Sequence, residues 1–189
     1  MSRGRKRTLR QAEKRREHLA CCPYDQDMTN VNDVDDLRHP DAAQLLRTPE
    51  PARLAYNGRD GFPRVIPLGF FWNGTAIVVC TAVTAPKVKA LRERPNVALT
   101  IDDMGPPVRA LLVRGVANVE IVDGVAAEYL AAAAKSTHGE ELAAFEAQVR
   151  ALYRQMARIT IAPTWARFYD FGAGRFPGFL RRMIDSASA

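Results

Sequence analysis

Cysteine and histidine are scarce in this chain, three of each in 189 residues. Cys21, Cys22 and Cys80 cannot lay out a disulfide framework, and the vicinal pair has no partner ligands at zinc-site spacing. His18, His39 and His138 are scattered, which argues against a metal centre built on histidine. No apolar run approaches the roughly 20 residues needed to cross a bilayer. The charged N-terminus is not followed by the apolar segment of a signal peptide. The expectation is a soluble cytoplasmic protein. Also missing are a carboxylate pair, a Ser-His or Cys-His signature and a carboxylate-histidine cluster of the kind that marks a hydrolytic site. Gly172-Ala173-Gly174 does not lead from a strand into a helix, as a dinucleotide-binding loop would.

Charge is present, but it is unevenly placed. The net charge is +6, and residues 1–18 carry eight Lys or Arg against Glu13 and Glu17, which accounts for all of it. The rest of the chain is balanced. Such an arm can contact phosphates, yet it lacks the interleaved aromatic residues of a base-reading surface, and it reads as a disordered tail. Residues 23–36 are polar and rich in Asp and Asn, a linker continuing that tail. The expected organisation is an arm and linker over 1–36, one domain over 37–175 and a C-terminal tail over 176–189. Hydrophobic residues make up 47% of the chain, enough for one core.

The domain opens with a short helix, for which Asp41 is the expected N-cap and Pro49 the stop. Strands are expected over 52–57, 62–72, 75–81 and 96–102, with a helix over 87–94 that must end before Pro95. A long strand runs over 108–122, and Gly115 inside it marks a bulge or a close backbone approach. One long bent strand of this kind can serve two sides of a closed sheet. Helices follow over 125–135 and 140–156. In the second, Leu142, Phe145, Val149, Leu152 and Met156 recur at helical spacing, a stripe that reads as core packing. Two strands, 157–162 and 164–171, flank Pro163 and close the domain.

The chain is organised around the stretch Arg64 to Lys87. Two β-rich runs meet at Asn73-Gly74, the dipeptide suited to a type I′ hairpin. The second run ends at Thr81 and passes through a loop with Thr84 to a helix that starts near Lys87. A hydroxyl, a lysine and the free N–H groups of a helix start form a cradle for an anion. The run Arg64-Val65-Ile66-Pro67-Leu68-Gly69, then Cys80-Thr81 and Lys87, resembles the pattern of the pyridoxamine 5′-phosphate oxidase-like flavoproteins. That family includes enzymes using the deazaflavin F420. The resemblance covers about Leu45 to Tyr169.

The resemblance implies an α+β fold, an antiparallel split β-barrel with packed helices, assembled as a two-fold homodimer with its cofactor cleft between subunits. It implies FMN or F420 as cofactor. Arg64, Val65, Ile66, Pro67 and Leu68 would lie along the ring, and Cys80 would belong to the cofactor-binding set. Thr81, Thr84 and Lys87 would hold the phosphate, and Trp165 and Arg167 would reach the cofactor of the other subunit. Two departures stand out. Pro86 occupies the place of an Arg that usually accompanies the lysine, and no Arg-x-His pair follows His138, so the vitamin-producing oxidase itself is not implied.

Each of these residues also has a plainer reading. Lys87 can be a solvated first-turn lysine, although the helix dipole disfavours a cation there unless an anion accompanies it. Lys89, Arg92 and Arg94 form a basic face that is either solvated surface or a path for the acidic tail that F420 carries and FMN lacks. Cys80, in an apolar strand, reads as an inert thiol. The function expected is an oxidoreductase that passes hydride between FMN or F420 and a small organic substrate. The alternatives are a flavin- or haem-binding barrel without turnover and a nucleic-acid-associated protein acting through its arm.

Overall fold

The longest apolar alternation in the sequence becomes the spine of the fold. In the computed structural model, which describes residues 33–188, β6 (Arg109–Asp123) pairs antiparallel with β7 (Gln155–Asp170) along their whole lengths. The strands have 15 and 16 residues, and the extra residue is absorbed at a register shift beside Gly115. Gly115 faces Pro163, and a Cβ on it would stand 2.5 Å from the Ala162 carbonyl oxygen. The expected bulge and the expected close approach are therefore one feature. It also corrects the two-strand reading around Pro163, because a proline at a bulge withdraws no ladder hydrogen bond and the strand continues through it.

The remaining strands are β1 (Ala52–Asn57), β2 (Pro63–Leu68), β3 (Phe71–Trp72), β4 (Ile77–Ala82) and β5 (Asn96–Asp103). All seven form one antiparallel sheet in the order β2-β1-β5-β6-β7-β4-β3. The run expected as a single strand over 62–72 is broken at Gly69-Phe70. Its first part pairs with β1 and only Phe71–Trp72 pairs with β4. Phe70 turns into the core, 1% exposed, and that burial breaks the strand. The two edges of the sheet are thus consecutive in sequence.

The hairpin at Asn73-Gly74 forms, but not as type I′. Gly74 alone has a positive φ, +97°, whereas type I′ requires two. The Asn73 side chain replaces the second: its Oδ1 accepts from the N–H groups of Thr75 (3.0 Å) and Ala76 (2.8 Å).

Four helices accompany the sheet. In α1 (Pro40–Leu45) the cap is His39, whose Nδ1 accepts from the Asp41 N–H, and not Asp41 itself. Pro40 suits the first helical position, which moves the cap one residue earlier. Helix α2 (Pro86–Glu93) ends at Arg94, as Pro95 demands. Helices α3 (Ala127–Ala133) and α4 (Gly139–Leu152) are inserted between β6 and β7. Helix α4 stops four residues short of expectation, because Met156 is 0% exposed inside β7 and paired with Val122. Of the helical stripe only Val149 is buried within α4, and Leu152 is 67% exposed, which corrects the core reading of that face.

The core lies inside the curved sheet, with Leu54, Ile77, Ile101, Leu111, Ile159 and Phe168 each at most 2% exposed. Each such side chain contributes roughly 1.5–3 kcal/mol on burial.

The described part of this unit begins before residue 37. Arg167 pairs with Asp33 at 2.8 Å. Asp36 accepts from the Phe168 N–H at 2.8 Å and pairs with Arg175 at 2.9 Å. The two charge-assisted bonds of Asp36 are of a kind worth about 1.5–3 kcal/mol each. Deleting residues 1–36 is therefore expected to lower the melting temperature by about 6 °C or more relative to deleting 1–32. Equal melting temperatures for the two shortened chains would show that the aspartates anchor nothing. The basic stretch of residues 1–18, with Cys21 and Cys22, lies outside the described residues. A separate unit contains helix α5 (Gly178–Ala187), where a tail was expected. No helix among the described residues is long and apolar enough to cross a membrane.

Candidate functional site

Two cavities open where the β2 edge, the end of β4 and the helices around them come together. The larger, about 780 Å³, is lined by residues from the β1–β2 turn, the loop after β4 and one face of α2. It gathers Arg59, Arg64, Lys89 and Arg92 against Asp60 and Glu93. Arg64 is held by both oxygens of Asp60, at 2.9 and 3.0 Å, and this hydrogen bonding pulls the Asp60 carboxyl down to about 2. Arg59 pairs with Glu93 at 3.4 Å. Lys89 and Arg92 are left with no carboxylate among the described residues. Arg94, expected on the same basic face, instead donates to the Gly58 carbonyl and leaves that face.

Lys87 stands at the second position of α2, half-buried, after Ala85, which provides no side-chain cap, and Pro86. Burial pushes its ammonium below the ordinary lysine value, and no described residue pairs with it. Loss of hydration without a counter-charge is costly. An anion beside such a lysine would offset both its charge and the positive helix end.

The second cavity, about 460 Å³, has two unlike walls. Pro67 and Leu68 of β2 with Cys80 and Thr81 of β4 form one wall. The other comes from the α3–α4 insert and the residue that follows α4: Glu128, Tyr129, Phe145 and Tyr153. The Tyr129 ring stacks on Phe145, centroids 5.9 Å apart, and meets Tyr153 edge-on at 6.2 Å. Glu128 accepts two bonds from Arg158, at 2.6 and 2.9 Å, which lower its pKa and keep it ionised. Burial, with the Glu128 charge nearby, pushes the Cys80 thiol up to about 11. At neutral pH it is neither a thiolate nor a nucleophile.

The residues singled out on sequence therefore divide. Pro67, Leu68, Cys80 and Thr81 share the smaller cavity; Arg64 and Thr84 share the larger; Lys87 lies on the helix that walls the larger one but lines neither. Val65 and Ile66 lie on the exposed β2 edge strand, Val65 64% exposed. Trp165 and Arg167 reach neither cavity of their own chain. Trp165 is 3% exposed, between the guanidinium groups of Arg114 (4.6 Å) and Arg167 (5.3 Å). The indole Nε1 has no hydrogen-bond partner among the described residues. The insert wall went unrecognised in the sequence, and its one visible signal, Phe145 in the apolar stripe, reads equally well as packing.

The barrel architecture has counterparts among solved structures. An F420 reductase is 24% identical, covering 66% of this chain and 94% of its own, with a TM-score of 0.51. A conserved hypothetical protein from Mycobacterium tuberculosis is 21% identical, covering 70% and 84%, with a TM-score of 0.56. The haem storage protein HutZ from Vibrio cholerae is 16% identical, covering 68% and 92%, with a TM-score of 0.50. At these identities the likeness establishes the fold. No curated protein matches the chain. The family described as pyridoxamine 5′-phosphate oxidase matches residues 39–168, from the cap of α1 to the core residue Phe168 in β7. Because that span holds the whole seven-stranded sheet but for the last two residues of β7, this chain belongs to the pyridoxamine 5′-phosphate oxidase family and has its split-barrel fold.

Proposed function

We propose that the protein is an oxidoreductase that uses FMN or F420 to oxidise or reduce a small organic molecule. The observation that carries this reading is Lys87, a half-buried cation with no counter-charge among the described residues, set at a helix start that has no side-chain cap. The donors proposed for the phosphate of either cofactor are Lys87 with its own N–H group and the hydroxyls of Thr81 and Thr84, although Thr81 and Thr84 line different cavities and Lys87 lines neither. When bound, the cofactor would supply hydride chemistry at its ring. The chain supplies position and exclusion of water. The end of β2 offers its backbone to a planar group, and the insert covers the cavity from the other side. A two-fold dimer belongs to the same proposal, supported by the apolar edge residues Phe62 and Val65, 71% and 64% exposed.

F420 is favoured over FMN by the uncommitted charges of Lys89 and Arg92, which lead away from Lys87 along α2. Only F420 carries an acidic tail to meet them. Interactions between exposed charges are screened within about 8–10 Å in ordinary salt. F420 affinity is therefore expected to fall more steeply with ionic strength than FMN affinity, and Arg92→Ser to narrow the gap. Absorption titrations of the purified protein with FMN, F420 and haem test the whole reading. Equal salt slopes with tighter FMN binding would remove F420, and binding of haem alone would replace the enzyme with a carrier.

A further inference from the structure

The two cavities carry opposite electrostatics. Four cations line the larger, whereas none of the described residues lining the smaller is Lys or Arg, and its one charged group is the Glu128 carboxylate. Arg158 bonds Glu128 at 2.6 and 2.9 Å and offsets much of that charge, but as one cation beside two carboxylates, the second being Glu120 at 3.6 Å, it leaves the cluster with a net charge of −1. The other polar residues at the wall, Thr81, Ser136, Cys80 and the two tyrosines, add no cation. Three aromatic rings and three prolines supply the apolar surface.

These walls have different owners. The strand wall of Pro67, Leu68, Cys80 and Thr81 belongs to the residues assigned to the cofactor ring. None of the insert-wall residues has a part in that assignment, so a group stacked on the insert wall faces the ring. We infer that the insert wall selects the substrate, and that the substrate is a planar ring system, neutral or positively charged, and not a phosphorylated or carboxylated one. This rests on the oxidoreductase reading for the word substrate, while the preference for ligand charge stands on the cavity alone. An aromatic cage with a carboxylate at its margin attracts cations through the ring faces and through Coulomb attraction. An anion would have to sit beside Glu128 with no cation in the wall to offset it.

The preference can be read in the cofactor-free, full-length protein, with three probes of one skeleton and different charge: 1-methylquinolinium, quinoline and quinoline-4-carboxylate. Isothermal titration at pH 7.5 is expected to give about tenfold or greater preference for the cation and the neutral ring over the carboxylate. Two variants locate the effect. Phe145→Lys changes a half-buried residue of α4 and is expected to reverse the ranking by placing a cation in the wall. Glu128→Gln, which leaves Arg158 facing Glu120 alone, is expected to raise carboxylate affinity about tenfold. Unchanged melting temperatures for the variants exclude unfolding as the cause, and Phe145→Lys alone suffices if Glu128→Gln unfolds. The inference is overturned if the wild-type protein binds the carboxylate as tightly as the cation, if none of the three probes binds below millimolar concentration, or if the ranking survives Phe145→Lys. Failure of FMN and F420 to bind, with the ranking intact, would remove the enzyme reading and leave the charge preference standing.

Discussion

Gly115→Ala should cost the fold about 3 kcal/mol or more, an unusually large penalty for one added methyl group. The new Cβ would lie 2.5 Å from the Ala162 carbonyl oxygen and 2.9 Å from Ile161 Cγ2. The nearer of these is backbone in the longest strand pair of the molecule, which cannot yield as a surface side chain does. Relief requires β6 and β7 to separate at the bulge and to give up the hydrogen bonds beside Pro163. For a chain of this size the loss corresponds to a fall of about 6–12 °C in melting temperature. Gly69→Ala is the matched control, since its Cβ would meet nothing nearer than 3.9 Å. Similar melting curves for the two variants would show that the β6–β7 contact is looser than its geometry.

Removal of the Lys87 ammonium should act on binding and not on folding. A charged hydrogen bond to an anion is worth on the order of 1.5–3 kcal/mol, so Lys87→Ala is expected to weaken FMN or F420 about ten- to a hundredfold. The same lysine loses hydration in the folded chain and gains no carboxylate in return. The variant should therefore melt no lower than the parent in the absence of cofactor. This combination separates a ligand from a structural lysine: weaker binding with unchanged or higher stability supports the cradle. Unchanged affinity in a folded variant would take Lys87 out of it. Arg92→Ser, by contrast, should alter the salt dependence of F420 binding far more than its affinity at high salt.

Much of the barrel can be read from local chemistry. The bounds of β1, the stop of α2 ahead of Pro95 and the irregularity at Gly115 follow from alternation, proline sterics and the missing side chain of glycine. The features that escape such a reading are those decided at long range. Nothing near Phe70 says that its ring will enter the core and split one strand into two sheet edges. The helical spacing that runs through Leu152 continues to Met156, and only the pairing of Met156 with Val122 converts that residue to strand. Asp33 and Asp36 look like linker residues because their partners, Arg167, Phe168 and Arg175, are more than 130 positions away. The same limit governs the site. The residues proposed for the cradle, Thr81 to Lys87, are contiguous in sequence and so stand out there, yet they do not share one cavity, whereas the aromatic wall is assembled from α3, α4 and the residue after them.

The insert that supplies this wall leaves and rejoins the sheet at a narrow neck. Asp123 pairs with Gln155, and the Gly124 N–H donates to the Arg154 carbonyl at 2.7 Å, so residues 125–153 begin and end at neighbouring points. A two-residue turn could close the same gap without altering a single strand register, though Val78 and Cys80 would lose the cover of Ala126 and Tyr129. The cofactor-side wall and the opposing wall are thus separately replaceable. Descendants of such a barrel can change length and composition in this one segment while every strand of the sheet keeps its partner. Diversification by cassette exchange is what this topology makes easy.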